Sequence, residues 1–334
     1  PIAQVAETAG FGSLRRFNAL FQERYRLSPS SLRKQRPGQD EGDMEGTRVR
    51  LGWRPPYDAQ AMLAFLGARP LPGVEALHHG IWWRTLSLPG RQGPCQGWLG
   101  LRLDARNEGA ELTVSPGLVP VLPQVMRRVR HLLDLDAQPQ DIHETLRELP
   151  GARAGLRVPG CMDGFETTVR IILGQQVTVA AGCTLAARLV DRLGEPCATP
   201  VPGLTHLFPS ALAMKNASVD TLGQLGIIRS RIQALQALVA AVLDGQLDLS
   251  PGAAVDDTLA TLRALPGIGD WTAQYIAMRA LRWPDAFPAG DIVVQQRLGV
   301  RNEPHPARAA LAQATAWQPW RSYAVIRLWH GGNP

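Results

Sequence analysis

A short glycine-rich hairpin is the segment of this sequence best suited to binding a phosphate. The run LPGIGDW spans residues 265–271 and lies between two segments with helical apolar spacing. Pro266 cannot continue the first helix. Gly267 and Gly269 permit positive φ and leave their N–H groups uncovered, and Asp270 can cap the next helix. Free amides at a helix N-terminus attract a phosphate oxygen, although a PGxG run alone is more often an ordinary interhelical turn.

Aromatic residues are concentrated near the end of the chain. The last 64 residues hold five of the nine tryptophans, namely Trp271, Trp283, Trp317, Trp320 and Trp329. Trp271 and Tyr275 are four residues apart, which places both on one face of a helix. Aromatics at this spacing are more often core residues than a binding site. We interpret Trp53, Trp317 and Trp320 as packing residues.

Several kinds of chemistry are excluded by composition. The cysteines, at 95, 161, 183 and 197, are too far apart for zinc or iron–sulfur spacing and indicate reduced, buried thiols. Lys34 and Lys215 are the two lysines beside 33 arginines, so chemistry needing an amine has few candidates. The net charge of +6 favours a polyanionic partner without proving one. With no run of 18 apolar residues and no secretory signal, we expect a cytoplasmic protein without a membrane span.

The first 36 residues are predicted to form two short helices around a turn. Their amphipathic, arginine-rich pattern is more often a plain helical hairpin than a DNA-binding unit. However, the run IAQVAETAGFGSLRRFNALFQERYRLSPSSLR resembles the second helix-turn-helix of AraC-type transcription regulators. The resemblance rests on the turn at Gly10-Phe11, on Phe17 and Phe21, on Ser28-Pro29 and on Arg33. It implies a partial domain over 1–36 with poor independent stability, followed by a flexible linker over 37–47.

The rest of the chain divides into an α+β domain over 48–158 and a helical region over 159–334. Strands are predicted near 48–52, 82–88, 96–103 and 110–114, with helices over 59–66 and 119–133. Because turn residues separate neighbouring strands, we expect an antiparallel sheet. Later helices are predicted at 164–175, 177–192, 210–215, 218–224, 229–243, 256–264, 270–281, 291–298, 306–317 and 320–330.

Residues 48–334 resemble the helix–hairpin–helix DNA glycosylase superfamily, and within it the DNA-3-methyladenine glycosylase II family. The segments that carry the resemblance are LGWRPPYD, LRVPGCMDGFE, RIILGQQVTVAA, LPGIGDWTAQYIAMRAL and PWRSYAVIRLW. A Gly/Pro-rich loop over 283–290 then leads to Asp291. The resemblance implies an N-terminal antiparallel-sheet domain followed by an all-helical catalytic region. A fusion of a methylation-sensing regulator with such a glycosylase would explain the helix-turn-helix remnant.

The superfamily implies that Asp291 is the essential carboxylate, although the residue could also be a helix N-cap. Cleavage of an N-glycosidic bond develops positive charge on the sugar, which a carboxylate stabilises. Relatives that also cut the backbone form a Schiff base with an amine just after the hairpin. This sequence has Trp271 there, and Lys215 lies in a different predicted helix. We therefore expect a monofunctional enzyme that leaves an abasic site.

The resemblance also implies a pocket and DNA contacts. Trp271, Tyr275, Trp329 and Phe65 would surround a flipped, cationic purine. Gly267, Ile268 and Gly269 would contact DNA, and Gln176 would fill the gap left by the flipped base. The best-known relative has an apolar residue at the position of Gln176, and Gln175-Gln176 could instead form a solvated loop or a cap. The family hairpin can hold Na⁺ or K⁺ through backbone carbonyls, here those of Arg263, Leu265 and Ile268. No other cofactor is implied.

The sequence thus predicts a monomeric base-excision-repair glycosylase that releases alkylated purines from double-stranded DNA. One alternative is a non-catalytic DNA-binding regulator of the alkylation response, but phosphate binding alone needs neither Asp291 nor the aromatic set. Another is a glycosylase–lyase for oxidised guanine, which the absence of a lysine after the hairpin opposes.

Overall fold

A computed structural model describes residues 12–25, 28, 46–149 and 153–331 of the chain. The elements of the first half are α1 (Leu14–Tyr25), β1 (Thr47–Gly52), α2 (Ala59–Gly67), β2 (Glu75–His78), β3 (Ile81–Gly90), β4 (Gly93–Asp104), β5 (Gly109–Val114), a 3-10 turn (Pro116–Val121), α3 (Leu122–Leu132) and α4 (Pro139–Thr145). Those of the second half are α5 (Gly164–Leu173), α6 (Val179–Leu193), α7 (Ala211–Lys215), α8 (Val219–Gln224), α9 (Arg229–Leu243), α10 (Val255–Ala264), α11 (Asp270–Ile276), a π-helical turn (Ala277–Leu281), α12 (Ile292–Arg297), α13 (Pro306–Ala314), a 3-10 turn (Thr315–Trp317) and α14 (Arg321–His330).

The five strands form one antiparallel sheet in the order β1-β5-β4-β3-β2. Alternating side chains such as Leu51, Leu99 and Leu112 are fully buried beneath α2 and α3. On the other face, Trp83 and Trp98 pack with Val201 and Leu204 from the second half. The predicted α+β fold with an antiparallel sheet is confirmed. Sheet and helices therefore meet along an extended junction.

Amphipathic helices in the second half enclose a core of their own. Leu173 of α5 and Leu238 of α9 are fully buried in it. Side chains cap several of these helices, accepting the N–H of the third residue on. These N-cap residues are Asp163, Thr178, Ser210, Ser218 and Asp291. The sequence specifies these helix starts locally.

The predicted boundaries differ from the structure at several helices. The helix predicted over 119–133 begins as a 3-10 turn, consistent with Pro116 and Pro120 in that segment. Two others change winding, since 270–281 ends as a π turn and 306–317 ends as a 3-10 turn. Sequence analysis did not predict the short β2 and α4. Of the N-terminal segment, α1 is observed and contacts β1 with Phe17 buried, whereas 1–11 and 29–45 lie outside the described residues.

A buried ion network ties the two halves together. Arg84 on β3 contacts Glu75 on β2 and Glu166 on α5, and Arg170 on α5 contacts both glutamates. A further contact between the halves joins His131 Nε2 on α3 to the Ala280 carbonyl of the π turn, 2.9 Å away. No helix in the described ranges is long and apolar enough to cross a membrane.

Candidate active site

The hairpin between α10 and α11 makes the expected sharp turn. Of the two glycines, only Gly267 adopts a positive φ, and Asp270 is not the helix cap. Gly267 has φ 77°, and a Cβ there would lie 3.4 Å from the Ala234 Cβ. Gly269 is extended at φ −81° and is itself the N-cap residue, so it needs no positive φ. Asp270 is not the cap, because it starts the helix and its carboxylate accepts Arg263 Nη2 at 2.7 Å.

The hairpin offers N–H groups on a rigid support. Within the described chain, the N–H groups of Gly267 and Gly269 have no hydrogen-bond partner, while Ile268 N–H donates to the Leu265 carbonyl at 3.2 Å. Gln175, just after α5, donates from Nε2 to the Gly267 carbonyl at 3.0 Å and to Thr272 Oγ1 at 3.1 Å. These contacts fix the loop after α5 against the hairpin.

Asp291 combines the helix cap with a fixed, partly buried carboxylate. Oδ1 accepts the backbone N–H of Val294 at 3.0 Å and the indole Nε1–H of Trp329 at 3.2 Å. Oδ2 accepts the indole Nε1–H of Trp271 at 3.2 Å. Three neutral donors from α11, α12 and α14 therefore orient the two oxygens. Neutral donors leave a net negative charge available for electrostatic stabilisation.

Aromatic rings stand beside this carboxylate. The Trp271 and Tyr275 ring centroids are 5.2 Å apart, and Tyr275 and Trp329 pack edge-to-face at 5.9 Å. Phe65 on α2 lines the same cleft, which has a volume of about 870 Å³ and lies between the sheet and the helices. The structure thus brings Asp291 together with the four predicted pocket residues.

Sequence reasoning missed Arg279, which also lines the cleft. Its guanidinium carbon lies 4.6 Å from the Phe65 ring centroid, and its Nη1 donates to the Tyr275 hydroxyl at 3.2 Å. Its position four residues after Tyr275 was the available signal, because i and i+4 side chains share a helix face.

The loop after α5 lies at the rim of the cleft. Gln176 is exposed there at φ 53°, a left-handed conformation uncommon for a residue with a side chain. Val177 lines the cleft and is 37% exposed. Val177 is therefore the residue of this loop that enters the cleft lining, whereas the predicted gap-filling residue Gln176 is exposed and is not part of that lining.

Two cysteines, Cys161 and Cys183, line the cleft, of which Cys161 is buried and Cys183 is partly exposed. Burial raises the pKa of the Cys161 thiol to about 11, so it stays protonated near neutral pH. Lys215 is exposed on α7, and none of the described residues that line the cleft is a lysine. Among the described residues no group of three His, Cys, Asp or Glu could hold a metal ion.

Comparison with known proteins places the chain in a family. Residues 48–163 match the model of the AlkA N-terminal domain, and residues 169–321 match that of the HhH-GPD superfamily base excision DNA repair protein. DNA-3-methyladenine glycosylase 2 of Escherichia coli K12 is 36% identical over 281 residues, covering 84% of this chain and 96% of that protein. The chain belongs to the HhH-GPD superfamily of base excision DNA repair proteins. The family resemblance inferred from the sequence is confirmed.

Other relatives extend the match in sequence and in fold. A probable bifunctional transcriptional activator/DNA repair enzyme AlkA of Mycobacterium tuberculosis is 36% identical over 98% of this chain, which spans 66% of that relative's length. The solved 3-methyladenine DNA-glycosylase of Archaeoglobus fulgidus shares the fold. Its TM-score is 0.66 at 21% identity, covering 84% of this chain and 97% of that chain.

Proposed function

We propose that this protein is a monofunctional DNA glycosylase that releases alkylated purines, of the 3-methyladenine type, from double-stranded DNA. The observation that carries the proposal is Asp291, whose carboxylate is oriented by three N–H donors beside an aromatic wall. The 36% identity to a DNA-3-methyladenine glycosylase supports the same conclusion.

The carboxylate suits cleavage of an N-glycosidic bond. Departure of the base develops positive charge on the sugar, which a fixed negative charge stabilises where water is excluded. The same carboxylate orients the attacking water and accepts its proton. Purines alkylated at N3 or N7 are cationic and leave as neutral bases, so they need no strong acid. Trp271, Tyr275 and Trp329 supply the electron-rich faces that bind such a cation.

The hairpin and the rim loop position the DNA in this proposal. Free amides at Gly267 and Gly269 bind a phosphate oxygen, and Ile268 contacts the backbone between them. Gln176 fills the space left by the flipped base. The protein acts as a monomer.

The hairpin carbonyls of Arg263, Leu265 and Ile268 bind Na⁺ or K⁺ in this proposal, and the reaction needs no other cofactor. The structure is compatible with this, since the hydrogen bond from Ile268 uses only one lone pair of the Leu265 oxygen. A bound cation would add positive charge next to the phosphate-binding amides.

The proposed enzyme does not cut the DNA strand. Schiff-base chemistry needs an amine near C1′, whereas the residue after the hairpin is Trp271 and Lys215 lies on α7 outside the cleft lining. An abasic site is therefore the product.

Base release from methylated duplex DNA tests the proposal. We expect free 3-methyladenine by chromatography, intact strands before alkali, and breaks after alkali. Strand cleavage trapped by borohydride would contradict the monofunctional mechanism. Binding without release would favour the non-catalytic regulator, which the fixed carboxylate and the family membership do not support.

A further inference from the structure

Arg279 is a charged residue of the cleft to which the proposed reaction gives no role. It lies on the π-helical turn that continues α11, four residues after Tyr275. A π turn winds more residues per turn than an α-helix, and such turns are frequent at functional sites. The wider turn rotates Arg279 back toward the face that carries Trp271 and Tyr275. The local winding thus places a guanidinium in line with the aromatic wall.

In the described ranges, the groups that bind this guanidinium are neutral. Nε donates to the Pro159 carbonyl at 2.6 Å, Nη2 to the Gly160 carbonyl at 3.2 Å, and Nη1 to the Tyr275 hydroxyl at 3.2 Å. Among the residues that the structure describes, no carboxylate forms an ion pair with it. Its positive charge is therefore held in place by hydrogen bonds rather than by a direct ion pair.

The charge lies against rings that would otherwise bind a cationic base. The guanidinium carbon is 4.6 Å from the Phe65 centroid and 5.8 Å from the Tyr275 centroid. A second guanidinium, that of Arg69, lies 5.8 Å from the Phe65 centroid. A cationic base on this side of the cleft meets repulsion as well as aromatic attraction. Two unit charges about 7 Å apart, at an effective dielectric constant of about 20, change binding by about fifty-fold.

We propose that Arg279 is a specificity-determining residue that shifts the enzyme from cationic toward uncharged damaged purines. This inference rests on the proposed glycosylase function. When C1′–N9 breaks, the electron pair goes to the departing base, and water supplies a hydroxyl group to C1′ while its proton goes to Asp291. A neutral purine thereby becomes an anion, which the guanidinium stabilises until solvent protonates the base. A cationic purine leaves neutral and gains nothing from the guanidinium.

Single-turnover base release tests the inference with two duplexes of identical sequence. One contains 7-methylguanine, which is cationic, and the other contains hypoxanthine, which is neutral. For Arg279→Gln we expect the 7-methylguanine-to-hypoxanthine rate ratio to rise about tenfold, less than the full Coulomb effect because solvent screens a partly exposed charge. Arg279→Lys keeps the charge, and its ratio should stay within about threefold of wild type.

The controls separate this inference from the function on which it rests. Wild-type protein that releases neither base contradicts the proposed function before any variant is compared. An equal fall at both lesions in Arg279→Gln, or an unchanged ratio, overturns the role of Arg279. The role of Arg279 is also overturned if wild-type protein releases 7-methylguanine but no hypoxanthine, and Arg279→Gln releases 7-methylguanine at the same rate. Thermal unfolding monitors folding, and Arg279→Met, which keeps the aliphatic stem packed, replaces the Gln variant if that variant does not fold.

Discussion

Arg84 and Arg170, in one part of the cleft lining, are paired with Glu75 and Glu166, whereas neutral groups hold Asp291 in another part. In the ion network, the shortest contact joins Arg84 Nη2 to Glu166 Oε2 at 2.7 Å, and both side chains are at most 5% exposed. In the pocket, Asp291 receives its hydrogen bonds from two indoles and one backbone N–H.

The difference shows that charges which hold the fold together and a charge suited to catalysis have different partners within one cleft. Burial alone would lower the pKa of Arg84, but the charges of Glu166 and Glu75 outweigh it and raise that pKa. The four charges sum to zero and contribute little net field at a distance. Neutral hydrogen bonds orient Asp291 without cancelling its charge, so its field acts on charge that develops during reaction. Ion-paired charges therefore join the two halves, whereas Asp291, which has no ion-pair partner among the described residues, lines the cleft.

Removing one member of the ion network should have the largest effect. Glu166→Gln leaves Arg84 buried beside a single glutamate, so we expect the free energy of unfolding to fall by about 3–5 kcal/mol. Base release by the protein that stays folded should change little. Chemical denaturation measures the first quantity, and single-turnover release measures the second.

Glu148→Gln is the matched control, because its ion pair with Arg147 is 87% and 72% exposed. We expect a loss below about 0.5 kcal/mol there. Equal losses of unfolding free energy in Glu166→Gln and Glu148→Gln would show that the buried network stabilises the fold no more than a surface ion pair does.

Asp291→Asn should have the converse effect: the rate of base release should fall while the protein stays folded. Removing a preorganised electrostatic stabiliser lowers the chemical rate by about 10²–10³, or about 2.7–4 kcal/mol. Asparagine is as good an N-cap as aspartate, but its NH₂ group cannot accept the Trp271 indole N–H that Oδ2 accepts, so we expect the free energy of unfolding to fall by about 1.5 kcal/mol or less. Base release and DNA affinity are measured together, and a loss of affinity that matches the loss of rate would contradict a catalytic role.

Acid should destabilise the folded protein by adding a buried positive charge at His131, where the two halves meet. Burial, followed by the charge of Arg282, lowers the pKa of His131 from 6.5 to about 4. The folded state therefore favours the neutral ring, whose Nε2–H donates to the Ala280 carbonyl at 2.9 Å. The resulting stability is complete above pH 6.5 and is lost as pH falls toward 4, by about 1.4 kcal/mol per unit and about 3 kcal/mol in all.

His131→Gln isolates this contribution, because glutamine keeps an N–H donor and does not titrate. The pH dependence of unfolding should be shallower in the variant between pH 4 and 6.5. Parallel curves for wild type and variant would assign the acid sensitivity to other groups.

The sequence predicted the parts of the site that local rules determine. The hairpin depends on Pro266 and Gly267, and the cap at Asp291 depends on the residues that follow it, so both could be inferred from neighbours in the chain. The position of Arg279 four residues after Tyr275 was visible in the sequence, but its fixed orientation was not, because that depends on a π turn and on carbonyls more than 100 residues away. The ion network was missed for the same reason, since Arg84 and Glu166 are 82 residues apart. The short β2 strand was missed because EALH carries no clear period-2 pattern.

Removing either indole donor to Asp291 should slow base release less than Asp291→Asn does. Which of the two variants is slower distinguishes the two carboxylate oxygens. Trp329→Phe removes one of two donors to Oδ1, whereas Trp271→Phe removes the donor to Oδ2. A lost hydrogen bond to a charged group costs about 1.5 kcal/mol, so we expect about a tenfold slower single-turnover release for Trp271→Phe. For Trp329→Phe we expect about threefold, because the Val294 N–H still holds Oδ1. Both variants keep an aromatic ring in the pocket, so substrate affinity should change less than the rate. The reverse order would indicate that Oδ1, rather than Oδ2, faces the developing charge on the sugar.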